Sequence, residues 1–233
     1  MCNRKRRYET NVFEDPAVRR MFATKVLAIV GINLTFTTLV MTICILVRPI
    51  RRFLQINWWI WIPAAVIIFI IHIMMCCFQS LFRKSPLNWV LLVIYVICHA
   101  VLVSCFAVLY RPLLVLMAFG VCAILVACLS VFARIAPCDF TACYTLIFVF
   151  GITVLALSIL ALYLRSVYVV YLGFAVIAYC TFIVYDLQMI VGGKIHKQQY
   201  YESDYIIAAM CLFNDVVYLF MFILEIAGLI DED

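Results

Sequence analysis

The sequence predicts an all-α fold, a polytopic membrane protein built as a seven-transmembrane-helix bundle. Of its 233 residues, 69% are hydrophobic and only 12% are charged, and the mean hydropathy is +1.18. Soluble domains are about 45–50% apolar, whereas apolar stretches of about 20 residues indicate membrane spans. The chain has seven such stretches with short connections, so consecutive helices are expected to run antiparallel.

The seven predicted helices leave little chain for anything else. At about 1.5 Å per residue, each can cross about 30 Å of hydrocarbon. A tryptophan cluster at 58–61 marks a membrane interface at the second helix, Gly192 stops the sixth, and Ser203-Asp204 caps the seventh. The helices lie at about 26–47, 58–82, 87–109, 113–133, 141–163, 167–191 and 205–230. We therefore predict a basic cytosolic N-terminal segment, 1–22, and a transmembrane bundle, 23–233.

Charge patterning predicts the orientation. Lysine and arginine are concentrated in the N-terminal segment and on its side of the membrane, so the positive-inside rule places the N-terminus in the cytosol. The acidic tail 231–233 lies on the opposite side if the last helix crosses, or in the cytosol if it re-enters. The basic cluster is interpreted as a topology determinant that contacts anionic lipid, and nucleic-acid binding is not expected.

Asp186 and Asp215 are the main candidate functional residues because each lies inside a long apolar run. A carboxylate at such depth is costly unless it is paired, protonated or hydrated, and it marks a functional site by default. Helix rise places Asp186 about 9 Å and Asp215 about 15 Å from the same membrane surface. The pair is therefore predicted to share one half of the membrane. The alternative is two unrelated aspartates, each capped by hydroxyls or by Asn214.

Stable metal and redox sites have little support. The twelve cysteines lie mostly within the spans, where a free cysteine behaves as a small hydrophobe, and they form no C-x-x-C pair. His72 and His99 are interpreted as hydrogen-bonded packing residues, since no cluster has metal-ligand spacing. No cofactor is expected.

Several collinear segments carry a family resemblance. They are FEDPAVRRMFATKV at 13–26, FRKSPLN at 82–88, CDFT at 138–141, YDLQ at 185–188 and LFNDVVYLF at 212–220. Together they resemble the Bax inhibitor/lifeguard (transmembrane Bax-inhibitor-motif) family, especially its compact Golgi- or endoplasmic-reticulum-type lifeguard members and viral relatives. The third helix departs from the family pattern, because it lacks the glycine-bearing, Phe-Thr-rich sequence.

This resemblance implies a bundle with the last helix central, acting as a pH-sensitive calcium leak channel that lowers store calcium and suppresses apoptosis. It implies that Asp186 and Asp215 form a gating dyad that also contacts calcium transiently. Arg83 is the implied dyad partner, with Lys84 as the fallback. The implied location is the Golgi or endoplasmic reticulum membrane, with the plasma membrane as an alternative. Implied partners are calcium, membrane lipids, and cell-death regulators or calcium-release channels; oligomerisation is left open.

The implied mechanism is physically reasonable. Two neighbouring carboxylates do not both ionise easily, so the pair shares one proton. A singly charged dyad beside Arg83 would hold the second, sixth and seventh helices together, and full protonation would weaken that tie. Calcium prefers oxygen ligands such as carboxylates.

Two other functions stay open. An intramembrane aspartyl protease of the presenilin type would also use Tyr185-Asp186, but Asp215 follows Phe213-Asn214 instead of a Gly-x-Gly, and no Pro-Ala-Leu comes after it. A non-conducting scaffold that binds cell-death or calcium-release proteins would leave no motif. We expect a protein that is not an enzyme.

Overall fold

The fold is helical throughout the parts of the chain that the structure, a computed structural model, describes: residues 16–136, 139–192 and 200–232. Three short 3-10 turns, Trp58–Ile60, Phe140–Cys143 and Glu202–Asp204, precede helices. The α-helices in these ranges are α1 (Pro16–Leu46), α2 (Arg48–Ile56), α3 (Trp61–Cys77), α4 (Gln79–Phe82), α5 (Leu87–Ala107), α6 (Pro112–Ile135), α7 (Tyr144–Ala161), α8 (Arg165–Val191) and α9 (Tyr205–Glu232).

Six of these helices are long and apolar enough to cross a membrane: α1, α3 with its preceding turn, α5, α6, α8 and α9. The helix α7 occupies the place of the fifth predicted span and has a shorter apolar stretch, Ile147–Ala161, within the described residues. The predicted class, an all-α polytopic membrane protein, is confirmed.

Three predicted boundaries were wrong. The helix α1 begins at Pro16, inside the predicted N-terminal segment. Proline is tolerated in a first turn, and Phe22, which precedes the apolar run, is buried in the bundle. The second predicted helix is interrupted at Phe78, between α3 and α4. The predicted first loop contains α2, whose basic and apolar residues alternate at helical spacing and which buries no residue, as expected of a helix at the membrane surface.

The last helix is central. It packs against α1, α5, α6 and α8, and more of it is buried than of the other spanning helices. Its alanines Ala208 and Ala209 are fully buried, which allows close approach of neighbouring backbones. Its large buried side chains complete the core: Ile206, Met210, Phe213, Leu219 and Leu224.

Contacts at one end of the bundle join the start of α9 to α1 and α4. The ammonium group of Lys25 lies 3.4 Å from the centre of the Tyr205 ring, a cation–π contact. Arg83, directly after α4, forms an ion pair with Asp204. The starts of α1 and α9 therefore lie on the same side of the bundle.

Contacts at the opposite end show that α9 crosses the whole bundle. Arg111, in the link between α5 and α6, pairs with Asp231 near the end of α9 at 3.4 Å. Arg51 of α2 donates to the carbonyls of Val108 and Tyr110 at the same end, at 3.3 and 3.1 Å. The last helix therefore runs from one end of the bundle to the other, and its end lies opposite the start of α1.

Candidate functional site

The structure brings Asp186 and Asp215 together. Asp186 lies near the end of α8 and Asp215 near the middle of α9, and these two helices pack directly against each other. The side chains are 7% and 9% exposed, and the charge of Asp186 acts on Asp215. The predicted pairing in one half of the membrane follows from the helix spacing and the antiparallel packing. The gating role of the pair stays a prediction.

Tyr200 and Cys211 surround the aspartate pair. The hydroxyl of Tyr200 donates a hydrogen bond to Asp186, while Oδ2 of Asp186 is buried without a hydrogen-bond partner. Cys211 interacts with Tyr200 and with both carboxyl groups. Burial raises the pKa of Tyr200 well above its usual value, and nearby Asp186 adds to this effect. Tyr200 therefore stays a protonated donor, and the second carboxyl oxygen is available to a proton or a cation.

The end of α8 positions Tyr200 beside the aspartate pair. Gly192 ends the helix with a φ of 58°, a conformation that favours glycine, and its N–H donates to the Gln188 carbonyl at 2.8 Å. The N–H of Tyr200 donates to the Met189 carbonyl at 3.4 Å. The side chain of Gln188 accepts from the Phe140 N–H at 2.8 Å, which anchors this helix end to the turn before α7. The predicted stop at Gly192 is confirmed.

A polar network extends from Asp215 through the bundle. The side-chain nitrogen of Asn214 lies 3.5 Å from Oδ1 of Asp215, and its oxygen lies 3.1 Å from the hydroxyl of Tyr95 on α5. Nε2 of His99 lies 3.3 Å from the same oxygen, and Nε2 of His72 on α3 lies 3.1 Å from the Tyr95 hydroxyl. The interpretation of both histidines as hydrogen-bonded packing residues is confirmed. Tyr95 was missed, because nothing in its sequence context distinguishes it from the other tyrosines.

Arg83 binds Asp204 through both of its carboxylate oxygens. Nε of Arg83 lies 2.6 Å from Oδ1, and Nη2 lies 3.1 Å from Oδ2. Asp204 is 5% exposed and also accepts from the N–H of Tyr201 at 3.4 Å. Sequence reasoning treated Asp204 only as a helix cap and missed the ion pair. The dyad-partner role of Arg83, and the fallback role of Lys84, stay predictions.

A second carboxyl group within the apolar part of α9, that of Glu225, was also missed. Glu225 accepts a hydrogen bond from the hydroxyl of Tyr168 near the start of α8. It lies ten residues after Asp215, about 15 Å farther along the helix. Its position within the apolar run of the last helix was the signal that could have found it.

The described residues contain no cluster of metal-ligating side chains, and one sizeable cavity lies beside α9. Residues 16–136, 139–192 and 200–232 contain no group of three or more His, Cys, Asp or Glu side chains able to hold a metal. An apolar cavity of about 660 Å³ lies between α1, α5, α6 and α9, beside Val216 and Thr37. Its lining is mostly hydrocarbon, and the contact of the aspartate pair with calcium stays a prediction.

Comparison with known proteins decides the family. Residues 19–232 match the family model described as inhibitor of apoptosis-promoting Bax1. The chain belongs to the Bax inhibitor/lifeguard family. It is 26% identical to human Protein lifeguard 3 over 93% of its length and 71% of the relative's, and 25% identical to the mouse protein over the same shares. It is 27% identical to Protein LIFEGUARD 4 of Arabidopsis thaliana, over 92% of the chain and 87% of the relative. The resemblance seen in the sequence is confirmed, and the protein is a multi-pass membrane protein of an anti-apoptotic family.

Proposed function

We propose that this member of the Bax inhibitor/lifeguard family is a pH-sensitive calcium leak channel of the Golgi or endoplasmic reticulum membrane. The leak lowers store calcium and thereby suppresses apoptosis. Asp186 and Asp215 form its gate, and the protein acts on ions without catalysing a reaction or holding a cofactor.

The observation that supports this proposal is the buried aspartate pair on adjacent helices. Two carboxylates in the membrane interior repel each other and are expensive to ionise together. The buried oxygen Oδ2 of Asp186 adds a polar group without a hydrogen-bond partner. Such a costly pair is expected where protons or cations bind to it.

Proton sharing explains how the pair can act as a gate. At neutral pH the pair keeps one proton and one negative charge, so the hydrogen bond that Tyr200 donates to Asp186 is charge-assisted and holds the start of α9 against the end of α8. A second proton removes the negative charge and leaves a neutral hydrogen bond of roughly half the strength. Acidification therefore weakens the contact between these helices and favours the open state.

The position of acidic residues along α9 suits a calcium route. Asp204, Asp215 and Glu225 follow one another at intervals of about 16 and 15 Å, from one end of the bundle toward the other. Asp215 and Glu225 supply carboxylate oxygens, the ligands that calcium prefers, and Asp204 supplies them once its ion pair with Arg83 opens. Widely spaced acidic groups bind an ion weakly enough for it to leave, as conduction requires.

Calcium efflux from liposomes that contain the purified protein, measured against pH, tests the proposal. We expect efflux to rise on acidification and Asp215→Asn to lose that response. Asp231→Asn removes a carboxylate at the opposite end and serves as the matched control, with wild-type behaviour expected. If the wild-type protein passes no calcium at any pH, the proposal fails and the scaffold alternative gains support. Cleavage of helical substrates would instead support the protease alternative.

A further inference from the structure

The hydrogen positions of the network around Asn214 follow from its heavy atoms. Six contacts define the network. Nδ1 of His72 lies 3.0 Å from the Ile68 carbonyl, Nδ1 of His99 lies 3.0 Å from the Tyr95 carbonyl, and the other four join the side chains of His72, Tyr95, His99, Asn214 and Asp215 at 3.1–3.5 Å.

The two histidines have a fixed tautomer when they are neutral. A backbone carbonyl only accepts, so Nδ1 of His72 and Nδ1 of His99 must each carry a hydrogen. In a neutral imidazole the other nitrogen, Nε2, is then an acceptor. Both Nε2 atoms therefore need a donor from Tyr95 or Asn214.

One orientation of the Asn214 amide requires charged histidines. When the amide nitrogen faces an ionised Asp215, the amide oxygen must accept from both Tyr95 and His99. Tyr95 has one hydroxyl hydrogen, so Nε2 of His72 must then donate to the tyrosine oxygen. All six contacts are satisfied only if both histidines carry an additional proton, which places three charges within the membrane interior.

The other orientation satisfies every contact without charge. If the amide is rotated by half a turn, its two hydrogens point to the Tyr95 oxygen and to Nε2 of His99. The Tyr95 hydroxyl then donates to Nε2 of His72. The amide oxygen faces Oδ1 of Asp215, which must carry a proton. Because buried polar groups are stabilised by complete hydrogen bonding and destabilised by net charge, this neutral arrangement is favoured.

We propose that Asn214 couples the protonation of Asp215 to α3 and α5 through Tyr95, His72 and His99. When Asp215 ionises as pH rises, its O–H bond breaks, the electron pair stays on Oδ1, and the proton leaves to the aqueous phase, while His99 stays neutral and its Nε2 loses the hydrogen donated by Asn214. The Asn214 amide then turns its nitrogen to Asp215. The Tyr95 hydroxyl then has one hydrogen for two acceptors, the Asn214 oxygen and Nε2 of His72. One hydrogen bond in the network that joins α3 to α9 is therefore lost. This coupling rests on the proposed gating by Asp215.

Other titratable groups face Asp215 from the elements packed around it. They are Asp186 and Tyr179 on α8, Tyr95 on α5, Tyr200 before α9, and Cys211 of α9 itself. The second layer contains Cys76 on α3, Tyr218 on α9, and Cys122 on α6, whose thiol contacts the Val216 carbonyl. Within these two layers and the network, only His72 and His99 become cationic, so they supply any positive charge there.

Infrared and nuclear magnetic resonance spectroscopy of the full chain in nanodiscs test the coupling without relying on flux. The acid carbonyl band of Asp215 is identified by its loss in Asp215→Asn, and ¹⁵N labelling reports the histidine nitrogens. In the wild-type protein, the Nε2 signal of His99 should change over the same pH range as the Asp215 band. In Asn214→Leu the band should move to higher frequency, because the acid loses its acceptor, and His99 should no longer follow it.

Two further variants control for packing. Asn33→Leu makes the same substitution at another buried asparagine, on α1, and should leave the band and the His99 signal as in the wild-type protein. Tyr95→Phe keeps the ring and removes only the hydroxyl, so it should change the His72 signal and retain the Asp215 band. An unchanged band and unchanged histidine signals in Asn214→Leu would overturn the proposal. If those spectral changes occur but wild-type liposomes pass no calcium, the coupling stands and only the proposed function fails.

Discussion

Arg83 and Asp204 form a bidentate ion pair at the start of α9, with Nε 2.6 Å from Oδ1 and Nη2 3.1 Å from Oδ2. Asp204 is nearly buried and Arg83 is partly exposed. Fork geometry makes such pairs directional as well as strong. The pair joins the residue after α4 to the start of the helix that carries Asp215, so it is well placed to hold the closed arrangement.

Breaking this ion pair should open the proposed channel at neutral pH. We expect Arg83→Ala and Asp204→Asn each to raise calcium efflux at neutral pH, because both release the start of α9. The double variant should raise calcium efflux no more than either single variant, since all three variants remove the same contact. Arg111→Ala, which breaks an exposed ion pair at the opposite end, is the control and should show no increase in calcium efflux at neutral pH. A leak in Arg83→Ala without one in Asp204→Asn would indicate that Arg83 acts on the aspartate dyad, as the family resemblance implied.

Asp215 should be required for the pH response. Asn keeps the size of the side chain and its hydrogen bonding, but it cannot change charge between neutral and acidic pH. We expect Asp215→Asn to be folded and inserted, and its efflux to be the same across the pH range in which the wild-type protein is activated. Liposome efflux and circular dichroism measure the two properties. An unchanged acid activation in this variant would remove Asp215 from the gate.

Helix spacing was enough to predict the aspartate pair. The rise per residue, the stop at Gly192 and the antiparallel packing of two consecutive helices fix the depth of Asp186 and Asp215, and each of these quantities can be read from the sequence. The same reasoning identified the last helix as one that carries functional residues, and the family resemblance placed it at the centre.

Side-chain partners on different helices could not be predicted in the same way. The contact between Tyr95 and Asn214 depends on how α5 and α9 are rotated about their axes, which tertiary packing decides. On the sequence alone, the side chain of Arg83 could reach carboxylates at more than one depth in the bundle. Sequence spacing does not tell which of these carboxylates it contacts. The helix α1 was predicted to begin too late because burial of Phe22 continues the helix beyond the apolar run.

Tyr200 should set the pH at which the proposed channel opens. Its hydroxyl donates to Asp186, and burial raises the pKa of Tyr200, so this donor is retained through neutral and moderately alkaline pH. The hydrogen bond favours the ionised form of the carboxyl group. Tyr200→Phe should therefore let protons bind more readily and move acid activation of efflux to higher pH by about one unit, the size expected for one hydrogen bond to a charged group. Tyr163→Phe, at an exposed position, should behave as wild type. Activation at an unchanged or lower pH in Tyr200→Phe would show that Tyr200 does not act on the gate.

Gly228 should be needed for the packing of the far end of α9. A Cβ atom at this position would overlap the ring of Tyr110, which lies in the link between α5 and α6, whereas a Cβ at Gly173 on α8 would meet nothing within 4 Å. Overpacking of this kind costs about 1–3 kcal/mol when the neighbour cannot move away. Gly228→Ala should therefore lower the thermal unfolding midpoint of the purified protein, despite the higher helix propensity of alanine. Gly173→Ala should keep or raise the midpoint, because it gains that propensity without a clash. If both variants are equally stable, the Tyr110 ring moves freely and the close approach at Gly228 does not hold α9 in place.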